Sequence, residues 1–218
     1  QRLGTGRFVP HPMAEARKWK CIAYTMGIGK PRGIERCIRQ LRCSEYVLYL
    51  ALYMRQLSRR QGGVSGCFSV LNLRLLPELK KLEGCGTNRF YLCHDAREAT
   101  LAESAAEIYD GMRKAMRFCI YPAWHIMDPE GREFPYAAFN YAETDRSSQI
   151  CLGGQPLSER QLAYSDYIDI PLLLQLEKQQ GGMKISFLGR EDMTNPRELQ
   201  EMAAEYAAAL ERLTEEEL

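Results

Sequence analysis

The fold can be traced to residues 43–74, which read CSEYVLYLALYMRQLSRRQGGVSGCFSVLNLR. Ser44 is a good N-cap, and apolar residues follow it at helical spacing on nearly every side. Gly62 and Gly63 should end this helix, and residues 65–74 alternate as a strand does. A helix that is apolar all round is buried, so we expect the rest of the chain to enclose it.

Strands and helices along the remaining chain predict a mixed sheet. The expected strands cover residues 18–26, 65–74, 87–93, 136–141, 167–177 and 183–188, and the expected helices cover 33–41, 44–60, 100–118 and 196–213. Strands mostly follow strands, so the predicted fold class is α/β: a two-layer sandwich with a mixed β-sheet and long flanking helices. Residues 1–16 are predicted to be an extended arm or linker, and residues 17–218 a single lobe.

Three local patterns give expectations about where elements end. Gly27, Gly29 and a following proline should end the first strand. Pro171 falls in an expected strand, and because proline cannot donate to the ladder, it should lie at an edge or a bulge. Asn195 and Glu198 have the spacing of a capping box at the start of the last helix.

Composition excludes some classes of function. The net charge is +1, although residues 1–60 hold 13 Lys and Arg against 3 Asp and Glu. No apolar run approaches the ~20 residues that span a bilayer, so no membrane segment is expected, and nucleic-acid binding is not indicated. The eight cysteines form no C-x-x-C pair. This pattern favours buried thiols in a reducing cytoplasm, with no metal site and no disulfide framework.

Three residues are candidates on their own chemistry. Asn72 and Arg74 end an expected strand, where an arginine can hold a phosphate or carboxylate; the alternative is a surface ion pair. His125 precedes a turn, and Asp128 could orient its ring, so it is the best candidate for a general base. The alternative for His125 is an ordinary loop histidine. His94 is a weaker candidate, and the alternative for it is a structural role in which it helps to cap the turn at Asp95.

The order of these segments resembles the C-terminal half of condensation domains of nonribosomal peptide synthetases, in the superfamily of chloramphenicol-acetyltransferase-like (CAT-like) acyltransferases. The segments SEYVLYLALYMRQLSRRQGG, SGCFSVLNLR, GTNRFYLCHD, TLAESAAEIYDGMRKAM and FPYAAFNYAE carry the resemblance, together with the Gly-Gly hairpin and the last helix. It covers residues 18–214. Two-lobed members of the superfamily carry a His-His-x-x-x-Asp motif in the N-terminal lobe, and none of His11, His94 and His125 lies in such a motif.

The resemblance implies a lobe that forms one wall of an acyl or pantetheine tunnel. Acyl-CoA or a phosphopantetheine thioester would then be a substrate rather than a tightly bound cofactor, and the acyl group would pass to an amine or alcohol. Asn140 and Tyr141, at the end of the FNY strand, are implied to contact the substrate. The partner would be a missing N-terminal catalytic lobe or a carrier protein.

Two other functions stay open at this point. One is a non-catalytic interaction module that recruits a carrier protein or a partner enzyme. The other is a single-lobe acetyltransferase that works as a homo-oligomer and takes its base from this chain.

Overall fold

The computed structural model describes residues 20–81, 83, 86–119, 137–143, 151–152, 155–156 and 170–213. These residues form eight strands, four α-helices and two short 3-10 helices. The strands are β1 Cys21–Gly29, β2 Ser65–Asn72, β3 Thr87–His94, β4 Ala137–Glu143, β5 Cys151–Leu152, β6 Gln155–Pro156, β7 Leu172–Gln179 and β8 Gly182–Arg190. The helices are α1 Ile34–Leu41, α2 Glu45–Gln61, α3 Leu101–Met116 and α4 Pro196–Arg212. The predicted arm, residues 1–16, lies outside the described residues.

Six strands form one mixed sheet in the order β1-β8-β7-β4-β2-β3. The pairs β2–β4 and β4–β7 are parallel, whereas β1–β8, β7–β8 and β2–β3 are antiparallel. Strands β5 and β6 pair with each other. The predicted α/β fold with a mixed sheet is confirmed, as is the hairpin that joins β7 to β8.

Helix α2 lies at the centre of the core, as its sequence predicts. Leu48, Leu50 and Tyr53 are 0% exposed. The Tyr53 ring packs against Phe139 of β4 and Phe187 of β8, with centroids 6.2 and 5.9 Å apart. Burial of each such side chain contributes about 1.5–3 kcal/mol to folding, so α2 holds the sheet and the other helices together.

The ends of α2 form as the sequence predicts. The Ser44 hydroxyl accepts a hydrogen bond from the Val47 N–H at 3.3 Å. At the other end Gly62 has φ of 68°, a left-handed conformation that glycine adopts without strain. The Gly63 N–H then donates to the Ser58 carbonyl at 3.1 Å and closes the last turn.

The predictions about the end of β1 and about Pro171 need correction. Strand β1 begins at Cys21 and continues through Gly27 to Gly29, because β8 pairs with it along its whole length. The start of β8 approaches the end of β1 closely: a Cβ on Gly182 would lie 2.0 Å from the Ile28 carbonyl oxygen. Pro171 lies just before β7, which is a central strand, and its carbonyl accepts from the Arg190 N–H at 3.1 Å. Because Pro171 lies before the first residue of β7, its missing N–H removes no hydrogen bond from the sheet.

The predicted capping box also differs. Asn195 accepts from the Glu198 N–H at 3.0 Å, but the Glu198 carboxylate accepts from the Thr194 hydroxyl at 2.9 Å. A complete capping box forms at α3 instead, between Thr100 and Glu103. The Thr194 hydroxyl thus takes the Glu198 carboxylate that a capping box would pair with the backbone N–H of Asn195.

The sheet has one helix-covered face and one that, in the described part of the chain, carries no helix. Phe90, Leu92 and His94 of β3 are buried on the side of the helices, whereas Tyr91 and Cys93 between them are exposed. Alternation along each strand extends this division across the sheet. We call the second surface the helix-free face.

Candidate functional site

Four of the five predicted site residues lie toward the same end of the sheet, although no contact joins all four. Strands β2, β4 and β7 are parallel, so their carboxyl ends meet at the same edge. Asn72 ends β2, Asn140 and Tyr141 lie in the second half of β4, and Arg74 follows β2 directly. Carboxyl ends of parallel strands are where open α/β sheets commonly bind ligands. We call this region the carboxyl edge.

A side-chain cluster at the carboxyl edge joins β4, β7 and the start of α2. The Tyr141 hydroxyl donates to Glu45 Oε2 at 2.7 Å. Lys178 Nζ lies 3.3 and 3.2 Å from the two oxygens of the same carboxylate. The Glu45 and Lys178 side chains are 28% and 38% exposed. We call Glu45, Tyr141 and Lys178 the edge cluster; solvent reaches it, and its charges are paired.

The Tyr141 ring lies on the helix-covered side of the sheet. Its centroid is 5.2 Å from that of Tyr49 on α2, with the rings at 64°. Burial, and then the Glu45 carboxylate, raise the pKa of the Tyr49 hydroxyl. The Tyr49 hydroxyl therefore stays neutral. The Glu45 carboxylate and the Tyr49 ring together fix the orientation of Tyr141.

Asn140 points to the helix-free face, opposite to Tyr141. It is half-buried and pairs in register with Gln175 of β7. The Gln175 amide donates to Glu177 Oε1 at 2.9 Å, and Lys184 Nζ lies 3.4 Å from both Glu177 oxygens. We call Asn140, Gln175, Glu177 and Lys184 the polar strip. Asn140 and Tyr141, the two predicted site residues of the FNY strand, therefore face opposite sides of the sheet.

Asn72 is the last residue of β2, and Arg74 lies in the tight turn that follows it. Asn72 Oδ1 accepts from the Arg74 N–H at 3.0 Å and caps a 3-10 helix, Leu73–Leu75. The prediction that the strand reaches Arg74 is therefore wrong by two residues. The Arg74 side chain lies over Gly86, where an added Cβ would come within 2.3 Å of Nη1. Gly86 leaves room for the guanidinium beside this turn.

His125, the predicted base, lies outside the described residues and stays a prediction. In the described part of the chain, no group of three His, Cys, Asp or Glu side chains could hold a metal ion. The described helices include none that is long and apolar enough to cross a membrane. Burial raises the pKa of the Cys67 thiol, which makes that cysteine a poor nucleophile.

The structure contains a second polar cluster that sequence reasoning missed. His94 Nε2 lies 3.1 Å from Ser104 Oγ, and His94 Nδ1 lies 2.8 Å from Glu107 Oε2 without forming a hydrogen bond to it. Ser104 is 0% exposed and His94 3%, whereas the Glu107 side chain at the rim is 64% exposed. We call these three residues the sealed cluster, because the serine and the histidine are buried. The i, i+3 spacing of Ser104 and Glu107 was the available signal, but nothing in the sequence placed His94 beside them.

Serine hydroxyls fix the backbone around the sealed cluster. Ser58 Oγ donates to the His94 carbonyl at 3.0 Å and accepts from the Ala96 N–H at 3.2 Å. Ser65 Oγ lies 2.9 Å from Ser58 Oγ and 3.2 Å from the Met54 carbonyl. These bonds join α2, β2 and the end of β3. His94 thus belongs to a structural network, and Asp95, rather than the His94 side chain, caps the following turn through the Arg97 N–H.

Solved structures share this fold. The condensation domain of the monacolin K polyketide synthase MokA matches with a TM-score of 0.73 at 16% identity, over 99% of this chain and 52% of that one. The first condensation domain of the CDA synthetase matches with 0.70 at 14% identity, over 92% and 47%. The X-domain from teicoplanin biosynthesis, solved in complex with OxyB, matches with 0.72 at 16% identity, over 89% and 46%.

The chain therefore has a condensation-domain fold, and it spans about half the length of these neighbours. The resemblance inferred from the sequence is confirmed at the level of the fold, and the coverage is consistent with the predicted C-terminal half. The sequence itself matches no family model and no curated protein.

Proposed function

We propose that this chain is the C-terminal lobe of a condensation-like acyltransferase and forms one wall of its acyl or pantetheine tunnel. The observation that carries the proposal is the polar strip on the helix-free face, in a fold that spans about half of each condensation domain it resembles. Ligand sites are lined mainly by apolar side chains with a few polar groups that fix the orientation of the ligand, and Asn140 is a half-buried polar residue on the helix-free face.

Asn140 is suited to a thioester substrate with an amide-rich arm. Its side chain offers two N–H donors and a carbonyl acceptor, so it can pair with an acyl carbonyl or with a pantetheine amide. Asn72 and Arg74 lie at the carboxyl edge, where a guanidinium would hold a phosphate of the carrier arm. Tyr141 is bound to Glu45, so we assign it the role of positioning β4 against α2.

In this proposal the catalytic base comes from an upstream lobe with a His-His-x-x-x-Asp motif. Transfer of the acyl group from a thioester to an amine or alcohol then requires both lobes. His125 is the candidate base only if the chain acts alone or as a homo-oligomer. We also propose a reducing compartment such as the cytoplasm, because the six cysteines whose side chains the structure describes are free thiols and four of them are buried.

The test uses the natural polypeptide that contains this chain, with an acyl-pantetheine thioester and an amine acceptor. Asn140→Ala should lower kcat/KM about tenfold, the effect of one lost hydrogen bond of about 1.4 kcal/mol. Gln200→Ala, an exposed change on α4, is the matched control and should leave the rate unchanged. If the Asn140→Ala variant were as active as the control, the polar strip would not be part of the tunnel wall.

The alternative is a non-catalytic module that recruits a carrier protein or partner enzyme. It is favoured by the X-domain neighbour, whose structure was solved in complex with a second protein. A partner that binds equally to the wild type and to the His125→Ala variant, with no acyl transfer by the natural polypeptide, would support this function. Acyl transfer that requires an upstream lobe would contradict it.

A further inference from the structure

Strand β1 lies at one edge of the six-stranded sheet, and one side of it faces away from every other strand of that sheet. It pairs with β8 continuously from Cys21 to Gly29. The Glu191 N–H donates to the Lys20 carbonyl at 3.0 Å, which fixes the phase of this ladder. Because bonded residues alternate along an antiparallel strand, the even-numbered residues of β1 bond to β8. The odd-numbered residues direct their N–H and C=O groups to the outer side, which we call the β1 edge.

The outward backbone groups of Ala23, Thr25, Gly27 and Gly29 form no backbone hydrogen bond within the described residues. These four residues are exposed. A Cβ added to Gly27 or Gly29 would meet no atom within 4 Å, so the space beside the strand is open there. The β1 edge can therefore accept a further strand along most of its length.

The other edge strand of the sheet, β3, is protected in ways that β1 is not. Proteins shield edge strands from pairing with other chains by charged side chains, prolines, bulges or covering segments. Arg89 gives β3 an exposed charge, and its N–H already donates to Asn88 Oδ1 at 2.8 Å. Strand β1 has the sequence CIAYTMGIG, with neither a charge nor a proline. A nine-residue edge without these devices is suited to pairing with another chain.

The sequence of β1 is complementary to a second copy of itself. When two copies pair antiparallel about a two-fold axis through Thr25, the whole length of both strands overlaps. Thr25 then lies opposite Thr25 of the second copy, and Ala23 lies opposite Gly27 of the second copy. The outward N–H and C=O groups of these residues meet across the axis, as the bonded pairs of an antiparallel ladder do. Their side chains are small or absent, so the two backbones can approach.

The remaining side chains of β1 match in the same register. Ile22, Tyr24, Met26 and Ile28 lie on the helix-covered face, where Tyr24 is opposite Phe187 of β8, and they pack against the core while staying partly exposed. In the two-fold pair Ile22 lies opposite Ile28 of the second copy, and Tyr24 opposite Met26 of the second copy. These are the closely spaced pairs of the ladder. Pairing would thus bury apolar surface that the single chain leaves in water.

The charges that flank β1 do not oppose this arrangement strongly. Lys20 and Lys30 would lie opposite each other across the axis. Lys20 Nζ is 3.4 Å from Glu191 Oε2, and Lys30 Nζ is 3.7 Å from Glu35 Oε1, so each lysine has an acidic partner in its own copy. All four side chains are exposed, and salt screens their interactions.

We propose that the β1 edge is a dimer interface, at which two copies of this chain join their sheets into one continuous sheet. The match of small and apolar residues about Thr25 favours a second copy over a strand of unrelated sequence, and a two-fold axis closes the assembly at two copies. The proposal does not depend on the proposed function, because β1 contributes no residue to the carboxyl edge or to the polar strip.

Sedimentation equilibrium of the 218-residue protein, and of the natural polypeptide that contains it, tests the proposal. We expect a reversible dimer with a Kd below about 100 μM. Thr25→Lys places two like charges at the axis and should weaken the dimer about fivefold. Thr25 is exposed and its N–H lies outside the β1–β8 ladder, so the fold should persist. Thr87→Lys makes the same change at an exposed residue of β3 and, as the matched control, should leave the Kd unchanged.

Two further measurements identify the register. An equimolar mixture of the Thr25→Lys and Thr25→Glu variants should dimerise more tightly than either variant alone, because only the two-fold register places residue 25 against itself. In amide hydrogen exchange, the outward N–H groups of Ala23, Thr25 and Gly27 should become protected as the dimer forms. The Tyr24 N–H, which belongs to the β1–β8 ladder, should be protected in monomer and dimer alike.

The outcomes that contradict the proposal are distinct. A protein that stays monomeric up to about 1 mM would overturn it, and so would a Thr25→Lys variant that dimerises as tightly as the wild type. A mixture no tighter than the separate variants would reject the two-fold register. If the 218-residue chain dimerised but the natural polypeptide stayed monomeric, the β1 edge would belong to another segment of that polypeptide, and the second copy would be rejected.

Discussion

The sealed cluster and the edge cluster use similar chemistry in opposite surroundings. In the sealed cluster a histidine lies between a serine and a glutamate at distances of 3.1 and 2.8 Å, which fall in the range of a catalytic triad. In the edge cluster a tyrosine and a lysine share one glutamate. Distances alone would make the sealed cluster the better active site.

Access reverses that ranking. Ser104 is wholly buried, so no acyl group can reach its hydroxyl, whereas Glu45 and Lys178 are partly exposed at the carboxyl ends of parallel strands. The sealed cluster should therefore contribute to stability and not to function. The edge cluster should contribute little to stability. Substitutions at both clusters can separate these roles.

The largest effect is expected from His94→Ala. The change removes the hydrogen bond to Ser104 and leaves a cavity beside α3, so the free energy of unfolding should fall by about 3 kcal/mol. Urea denaturation measures it. If this variant kept its stability but lost acyl transfer in the natural polypeptide, the sealed cluster would be a functional site and the comparison would fail.

Ser58→Ala should have the next largest effect. Ser58 bonds to the His94 carbonyl, the Ala96 N–H and Ser65, and its loss leaves buried backbone groups with fewer partners. We expect a decrease of about 2 kcal/mol in the free energy of unfolding. Ser104→Ala removes only the bond to His94 and is the graded control, at about 1 kcal/mol. Equal effects would show that Ser58 does not organise the network.

Glu45→Gln tests the edge cluster and should cost less than about 1 kcal/mol of stability. The amide oxygen can still accept from the Tyr141 hydroxyl, whereas Lys178 loses an ion pair that solvent already weakens. Chemical denaturation of this variant beside Tyr141→Phe gives the comparison. A loss of 3 kcal/mol or more would mean that the edge cluster supports the core as strongly as the sealed cluster does.

The elements that the sequence predicts best are those determined by local pattern. Helix α2 and the β7–β8 hairpin follow from apolar spacing, an N-cap and a Gly-Gly turn. The carboxyl edge is also partly predictable, because Asn72 and Asn140 each lie near the end of an expected strand. The face on which Asn140 lies depends on the pairing of β4 with β2 and β7, which involves residues far apart in sequence.

The sealed cluster shows why the rest could not be predicted. His94 and Ser104 are ten residues apart, and they meet only because α3 packs back onto β3. Burial then decides whether the cluster is a catalyst or a structural tie, and burial is a property of the whole core. The 3-10 helix after Asn72 was missed because its cap is a local side-chain bond that competes with the strand.

The exposed pair of Arg60 and Glu205 extends the comparison to a third surrounding, and Arg60→Ala should give the smallest effect. Arg60 lowers the pKa of Glu205 from its ordinary value of 4.5, so the pair stabilises the folded protein above that pH. The contribution is lost as the pH falls through the folded pKa. At neutral pH we expect Arg60→Ala to cost less than about 0.5 kcal/mol, because the Glu205 side chain is 54% exposed.

The sign of that effect can be checked by titration. In the Arg60→Ala variant the pKa of the Glu205 carboxyl, followed by carbon NMR, should rise toward its ordinary value. The stability difference from the wild type should shrink as the pH falls below 4.5. A difference that stayed constant down to the acid limit would mean that Arg60 acts by packing against α4 and not by its charge. The contribution of Arg60 to stability would then come from contacts between side chains rather than from its charge.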